Sequence, residues 1–414
     1  MGSNVTAPKS GAAETEAAGR RDYLLLAGLT AGHLVNDFYA MVIPPLVPAL
    51  RLAFDLGYFQ IGLLAWCFYI LSGLLQPTVG QLADSRGMAR RVILSGFLVF
   101  ALGFVAMGLA PTYPLLLVAS LVCGVGATTF HPQSTSFLTR AFPASKGRAM
   151  GIHGWGGSVG NFLAPVVVAF LVTRWGWREA LVWLAVPGVA AALLLRGLLD
   201  EPPAARASGA SGGITRQLVL VSLAFGLLSM VLRGFLTFLP AFLVERGSSV
   251  AEAGVGTSLT LVVGLVAQPL GGQVYDRVGG RAVFLACSVG AGIGLVLFTL
   301  SEGVVLALGA AVVAFSVFAL FPVALALGSE IAKGDRVGMS VGFVFGVSAT
   351  LAAFTPILTG YVADRAGLGV AFHLLVVFAA GAAVMSAGLP GRKLAAAAPV
   401  QTLFPSPPPG ERAG

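Results

Sequence analysis

The chain has 414 residues, with 25 Lys and Arg against 17 Asp and Glu, so only 10% is charged and the formal net charge is +8. Soluble globular chains carry about 25% charged residues, whereas here 57% of the residues are hydrophobic and 55 more are Gly. That balance excludes a soluble multidomain enzyme, a disordered chain and a collagen-like fibre, and it leaves a polytopic membrane protein.

Residues 1–22 read as a small, polar tail without the apolar core of a signal peptide. From Tyr23 onward, apolar runs alternate with short polar breaks. About 20 residues at 1.5 Å each cross a hydrocarbon layer about 30 Å thick. The runs predict twelve crossings, near 23–49, 59–79, 92–110, 114–139, 149–172, 179–198, 217–243, 252–271, 282–300, 304–329, 338–362 and 368–390. They must be helices, because lipid cannot satisfy the open backbone groups of isolated strands. A stretch rich in Pro, Ala, Ser and Gly at 200–216 separates two six-helix halves, 23–199 and 217–393, and residues 394–414 read as a disordered tail. The expected fold is an all-α membrane protein built from two pseudo-symmetric six-helix bundles.

In the first crossing, His33, Asn36, Asp37, Ala40 and Pro44 share one helical stripe at spacings i, i+3, i+4, i+7 and i+11. Asp37 is the one carboxylate deep within a crossing, and a charge at the bilayer centre costs about 2.5–3.5 kcal/mol on insertion scales. A polar stripe in lipid faces a cavity. Asp37 is therefore a candidate proton carrier, against the alternative of a hydrogen-bonded packing residue.

After the second crossing comes Gly80-Gln81-Leu82-Ala83-Asp84-Ser85-Arg86-Gly87, followed by Arg90-Arg91. After the eighth comes Gly272-Gln273-Val274-Tyr275-Asp276-Arg277-Val278-Gly279, followed by Arg281. The two copies are offset by 192 residues (80 to 272), and Gly151, Pro165, Arg174 and Gly176 recur as Gly342, Pro356, Arg365 and Gly367 at an offset of 191. Such a parallel repeat places a substrate site at the midplane between the halves.

His131, in the fourth crossing, shares a stripe with Thr128 and Thr135, and an imidazole titrates near neutral pH. It pairs with His33 as a candidate relay, while His153 and His373 are weaker candidates. Gly147, Gly151, Gly154, Ser158 and Pro165 make a small-residue stripe on the fifth crossing, suited to close contact between the halves. Arg233 is the one cation inside a crossing, so it must pair with Asp37, bind an anionic substrate or snorkel to the interface.

Neither the three isolated cysteines nor any His and carboxylate spacing predicts a metal site. Gly156-Gly157-Ser158-Val159-Gly160 matches a serine-hydrolase pattern, but it lies in an apolar helix and not at a strand-to-helix turn. With no nucleotide-binding loop either, no cofactor is expected.

If the N-terminus is cytoplasmic, nineteen Lys and Arg face that side and five the other, Arg233 being within a crossing. The bias puts both termini in the cytoplasm and accounts for the positive net charge without a nucleic-acid partner.

The duplicated loop resembles the signature of the major facilitator superfamily. His33-Leu34-Val35-Asn36-Asp37-Phe38-Tyr39, Leu74-Leu75-Gln76-Pro77, Phe130-His131-Pro132-Gln133-Ser134 and the run from Arg336 to Asp364 resemble its fosmidomycin-resistance branch. The resemblance implies a proton-driven exporter in a bacterial inner membrane. Asn36, Tyr39 and Gln133 within these motifs, together with His131 and the intramembrane Arg233, are the expected substrate contacts, while the seventh crossing around Arg233 departs from the resemblance. The resemblance also implies that Asp84 and Asp276 latch onto the N-termini of the eleventh and fifth helices of the opposite half.

The expected function is alternating-access antiport of a small drug-like or anionic compound against protons, by a monomer in the lipid bilayer. An importer of a small organic acid would use the same architecture. A non-transporting sensor would need a larger soluble domain.

Overall fold

The computed structural model describes residues 10–143, 145–201, 214–331 and 337–391. Most of the 200–216 linker and all of the 394–414 tail lie outside the described residues. The first crossing comprises α1 (Ser10–Ala40) and α2 (Ile43–Phe54), followed by α3 (Tyr58–Arg86) and α4 (Ala89–Leu109). The fourth comprises α5 (Tyr113–Ala127) and α6 (Phe130–Ala141), the fifth is α7 (Lys146–Trp175), and the sixth comprises α8 (Trp177–Trp183) and α9 (Ala185–Leu198). The second half repeats the plan with α10 (Arg216–Glu245), α11 (Val250–Val262) with α12 (Gly264–Val278), α13 (Gly280–Leu300), and α14 (Gly303–Phe318) with α15 (Leu320–Ile331). It ends in α16 (Val337–Ser386).

Among the described residues, eleven helical stretches are long and apolar enough to cross a membrane, but α16, at 50 residues, would be roughly 75 Å long at 1.5 Å per residue. Gly367 divides it, with φ 82° and ψ 162°, so α16 supplies the eleventh and twelfth crossings. Gly176, its counterpart 191 residues earlier, divides α7 from α8 with φ 90° and ψ 164°. Only glycine reaches that backbone region without strain, so the repeat read in the sequence is a repeat of backbone shape.

Prolines explain four of the five interruptions within crossings. A proline ring clashes with the carbonyl four residues earlier and supplies no N–H. Pro44, Pro132, Pro187 and Pro322 fall four residues after Ala40, Thr128, Trp183 and Phe318, where the first, fourth, sixth and tenth crossings break. Pro132 and Pro322 also pack against the duplicated loops: a Cβ on Gly80 would lie 3.0 Å from Pro132, and one on Gly272 would lie 4.0 Å from Pro322.

Contact between the halves is lopsided. We call the face carrying the α3–α4 turn the tail face, and that carrying the α2–α3 turn the far face. Toward the far face, α3 meets α16 so closely that a Cβ on Gly62 would overlap the Pro356 carbonyl oxygen, and one on Gly360 the Tyr58 carbonyl oxygen. There too α7 meets α11, where the Val166 N–H donates to Ser258 Oγ at 3.0 Å.

Toward the tail face, open space flanks Gly147, Gly151 and Gly154 of α7 and Gly342 of α16. The small-residue stripe expected along the fifth crossing therefore touches the other half only in its upper part. There Ser158 accepts from Gln268 at 3.3 Å and Pro165 adjoins Gly254. The lower glycines have no neighbour among the described residues within 4 Å of where a Cβ would sit.

Charge groups fasten the far face. The Asp364 carboxylate of α16 accepts the N–H groups of Tyr58 at 2.5 Å and Phe59 at 2.8 Å, so one half caps the N-terminus of α3 in the other. Tyr58 donates its hydroxyl to Glu245 of α10, and Arg51 lies 3.8 Å from Glu245 and 3.6 Å above the Tyr58 ring. Gly62→Ala replaces a hydrogen with a methyl against a backbone carbonyl, so it should open the far face. A single cysteine at Ser258, buried between α7 and α11, should then label faster with an impermeant maleimide; unchanged labelling would count against this packing role.

Candidate functional site

The polar stripe of α1 turns inward onto α6 and α7. His33 Nε2 lies 3.4 Å from Asp37 Oδ2, and His131 Nε2 lies 3.4 Å from Asp37 Oδ1. Asn36 Nδ2 donates to Asp37 Oδ1 at 3.0 Å and lies 3.1 Å from His131 Nε2, and Asn161 Nδ2 of α7 donates to Asp37 Oδ2 at 3.2 Å. The Asp37 carboxylate thus sits among two imidazoles and two amide donors, as a carboxylate within a bilayer requires. The side chains of His33 and Asp37 are 12% and 18% exposed and that of His131 is 41% exposed, so access runs past His131.

His153 of α7 completes the group. Its ring stacks on His33 with centroids 4.2 Å apart, and its carbonyl accepts from His33 Nδ1 at 2.7 Å. Since a carbonyl can only accept, His33 carries a proton on Nδ1 and presents Nε2 to Asp37. Ser134 Oγ donates to the His131 carbonyl at 3.1 Å and lies 3.3 Å from His153 Nε2, while His153 Nδ1 is buried with no hydrogen-bond partner among the described residues.

Three glycines of α7 let α1 approach. A Cβ on Gly156 would overlap the Thr30 carbonyl oxygen, and one on Gly160 the Leu34 carbonyl oxygen. One on Gly157 would lie 2.6 Å from both Asp37 Oδ2 and His33 Nε2. The hydrolase-like glycine pattern is thus a helix-contact surface. His153 was ranked low by sequence, and Asn161 and Gly157 were missed, because no local spacing on α7 reports what α1 presents to it.

Other expected contacts fall elsewhere. Tyr39 is fully buried, donates to the Leu184 carbonyl at 2.6 Å and lies against Phe100 and Phe104. Two residues beyond Asp37, it points about 200° around a helix and belongs to the core. Gln133, equally displaced from His131, is 1% exposed and faces the Val79 carbonyl at 3.5 Å. Arg233 does not pair with Asp37: its guanidinium lies 3.9 Å over the Tyr69 ring, whose hydroxyl donates to the Ala40 carbonyl. His373 meets Thr299 at 2.9 Å in the other half.

The loop residues also depart from the expected latch. Asp84 stays within its own half, accepting from Ser136 at 3.3 Å and Arg140 at 3.2 Å, and Asp276, Arg277 and Arg86 are exposed. The residues just before α16 lie outside the described residues. Gly87 ends α3 with φ 64°, and Gly279 opens α13 with φ 82°. Arg90 donates to the Arg196 carbonyl at 3.0 Å, and Arg281 to the Leu389 carbonyl at 2.8 Å. Each arginine ties the third helix of its half to the end of the sixth, where free carbonyls welcome a cation.

A separate groove of about 560 Å³ is wholly apolar in lining, with Leu34, Phe38, Leu163, Trp175, Trp183 and Pro187 among its walls. Leu34, Val35 and Phe38 line it from α1, and Asp37 does not.

Twelve crossing helices in two repeated halves, the first enclosing a buried polar cluster, define a secondary-transporter fold. The Major Facilitator Superfamily model matches residues 29–247 and 221–402. The chain belongs to that superfamily.

Among curated relatives, the "Fosmidomycin resistance protein" of Escherichia coli K12 is 24% identical over 388 residues, covering 89% of this chain and 93% of that one. The "Probable sulfoacetate transporter SauU" of Cupriavidus necator is 28% identical over 269 residues, covering 59% and 62%. Among solved structures, a bacterial homologue of the lysosomal transporter Spinster, in an inward-facing and occupied conformation, superposes with a TM-score of 0.76 at 19% identity. That likeness covers 87% of this chain and 95% of the other.

Gly157→Ala should push Asp37 and His33 apart while leaving the fold assembled. We expect normal yield in the membrane with transport reduced as severely as in Asp37→Asn. Full transport by Gly157→Ala would show that the pairing geometry is dispensable.

Proposed function

We propose that the protein is a proton-coupled antiporter that exports a small drug-like or anionic compound by alternating access. The observation that carries this reading is the Asp37 carboxylate, held inside the membrane 3.4 Å from each of two imidazoles and reached past the half-exposed His131. The titratable groups facing it are His33 on α1, His131 on α6 and His153 on α7. A proton arriving there neutralises a charge that the bilayer disfavours, which links protonation to the free energy of closing the site.

The asymmetry of Lys and Arg between the two sides supports a cytoplasmic tail face, in which case the loosely packed ends of α7 and α16 face inward. Export from that state requires the far-face contacts of Asp364 and Glu245 to break. It also requires the tail face to close, bringing Asp84 and Asp276 toward the opposite half as latches. Arg233, the remaining intramembrane charge, supplies an anion contact; the relatives named for fosmidomycin resistance and for sulfoacetate transport are compatible with that choice. A membrane potential of 100 mV supplies about 2.3 kcal/mol per charge moved, enough for roughly a 50-fold gradient.

The test is a proteoliposome assay with an imposed pH gradient across a panel of drugs, phosphonates and organic acids. The wild-type protein should move at least one anionic compound against its gradient, and collapsing the pH difference should stop it. Asp37→Asn should bind substrate yet lose concentrative transport. Substrate movement indifferent to the pH gradient would refute the coupling. Arg233→Gln should abolish movement of anionic compounds at normal expression, and retained transport would refute the anion contact.

A further inference from the structure

We propose that His33, Asp37 and His131 also form a binding site for a divalent transition-metal ion of the zinc class. One ligand atom from each of the three lies within 4.8 Å of the others, although the residues come from two helices almost one hundred positions apart. A four-coordinate ion with bonds of about 2.0–2.1 Å sets its ligand atoms roughly 3.3 Å from one another. His33 Nε2 lies 3.4 Å from Asp37 Oδ2 and His131 Nε2 lies 3.4 Å from Asp37 Oδ1, so whichever oxygen binds the ion, one edge already has that length. The other edges, each within 4.8 Å, would shorten by a turn of the His131 ring, which is the more exposed ligand.

The surroundings suit a metal as well as the distances do. His33 commits its Nδ1–H to the His153 carbonyl at 2.7 Å, the outer contact that fixes an imidazole with its other nitrogen free for an ion. Asn36 and Asn161 hold the two Asp37 oxygens in position. Two imidazoles and one carboxylate favour Zn²⁺ or Co²⁺ over Mg²⁺ and Ca²⁺, which prefer all-oxygen shells. Three protein ligands leave a fourth position for water, reached on the side where His131 is exposed. The ion would pin α1 to α6. The inference uses the same atoms as the proton-coupling reading but does not rest on it.

The experiment titrates Co²⁺ into the purified, chelator-stripped full chain carrying no polyhistidine tag, because the visible spectrum of Co²⁺ reports its coordination number. We expect one Co²⁺ per chain with a four-coordinate spectrum, displaced by Zn²⁺, and Zn²⁺ should raise the melting temperature. Affinity should fall at least about 100-fold in Asp37→Asn and in His131→Gln, and it should be unchanged in His373→Ala. Absence of stoichiometric Co²⁺, a six-coordinate spectrum, or binding that survives both ligand substitutions would overturn the site. Proton-driven transport by metal-free proteoliposomes with no Co²⁺ binding would overturn only this inference. Co²⁺ binding with transport indifferent to pH would overturn only the coupling reading.

Discussion

In a bilayer the helices gain little by hiding apolar side chains from one another, because lipid tails are equally apolar. Cohesion then depends on how closely backbones approach, and glycine sets that distance here. Gly156 and Gly160 seat α7 on the carbonyls of α1, and Gly62 and Gly360 seat α3 and α16 on each other. The first pair holds a half together and aims Asp37 at its partners. The second pair joins the halves along one face only. The same contact chemistry thus serves within a half and between the halves, and polar groups cross both joints.

At the joint between the halves a carboxylate takes part. Asp364 gives α3 a counter-charge at its N-terminus from across the interface, an interaction worth about 0.3–1 kcal/mol at exposed helix ends and up to about 2 kcal/mol when partly buried. The resemblance led us to expect carboxylates meeting opposite-half helix ends at the tail face. The structure has that type of contact at the far face, and Asp84 meanwhile rests on Arg140. Far-face capping and tail-face separation belong to a single conformation.

The number and order of the crossings were legible because hydrocarbon thickness dictates run length, and the 191-residue offset between Gly176 and Gly367 marked a shared backbone turn. The proline-driven breaks at Thr128 and Phe318 were equally available from a spacing of four, but run length alone does not show them. At the site, periodicity singled out His33 and Asp37 because both lie on one helix. It could not foresee Asn161, Gly157 or the full part played by His153, whose positions relative to α1 depend on how closely α7 packs. Tyr39 and Gln133 were taken from resemblance against the helical wheel, which places each on the far side of its helix from its polar neighbour. Arg233 was recognised as unusual, but its aromatic partner Tyr69 lies on another helix, beyond the reach of local spacing.

The two halves share turns, prolines and arginine ties, yet they do not share chemistry. At the position that repeats His131 stands Phe321, and at the one that repeats His153 stands Val344. Phe321 lies in an aromatic cluster with Phe225 and Phe345, and Val344 is fully buried. The buried imidazole and carboxylate cluster therefore belongs to one half alone, and aromatic and aliphatic packing stands at the matching positions of the other. A duplicated backbone thus carries its ionisable centre on one side only, so a change at Phe321 or Val344 leaves every contact of that centre in place.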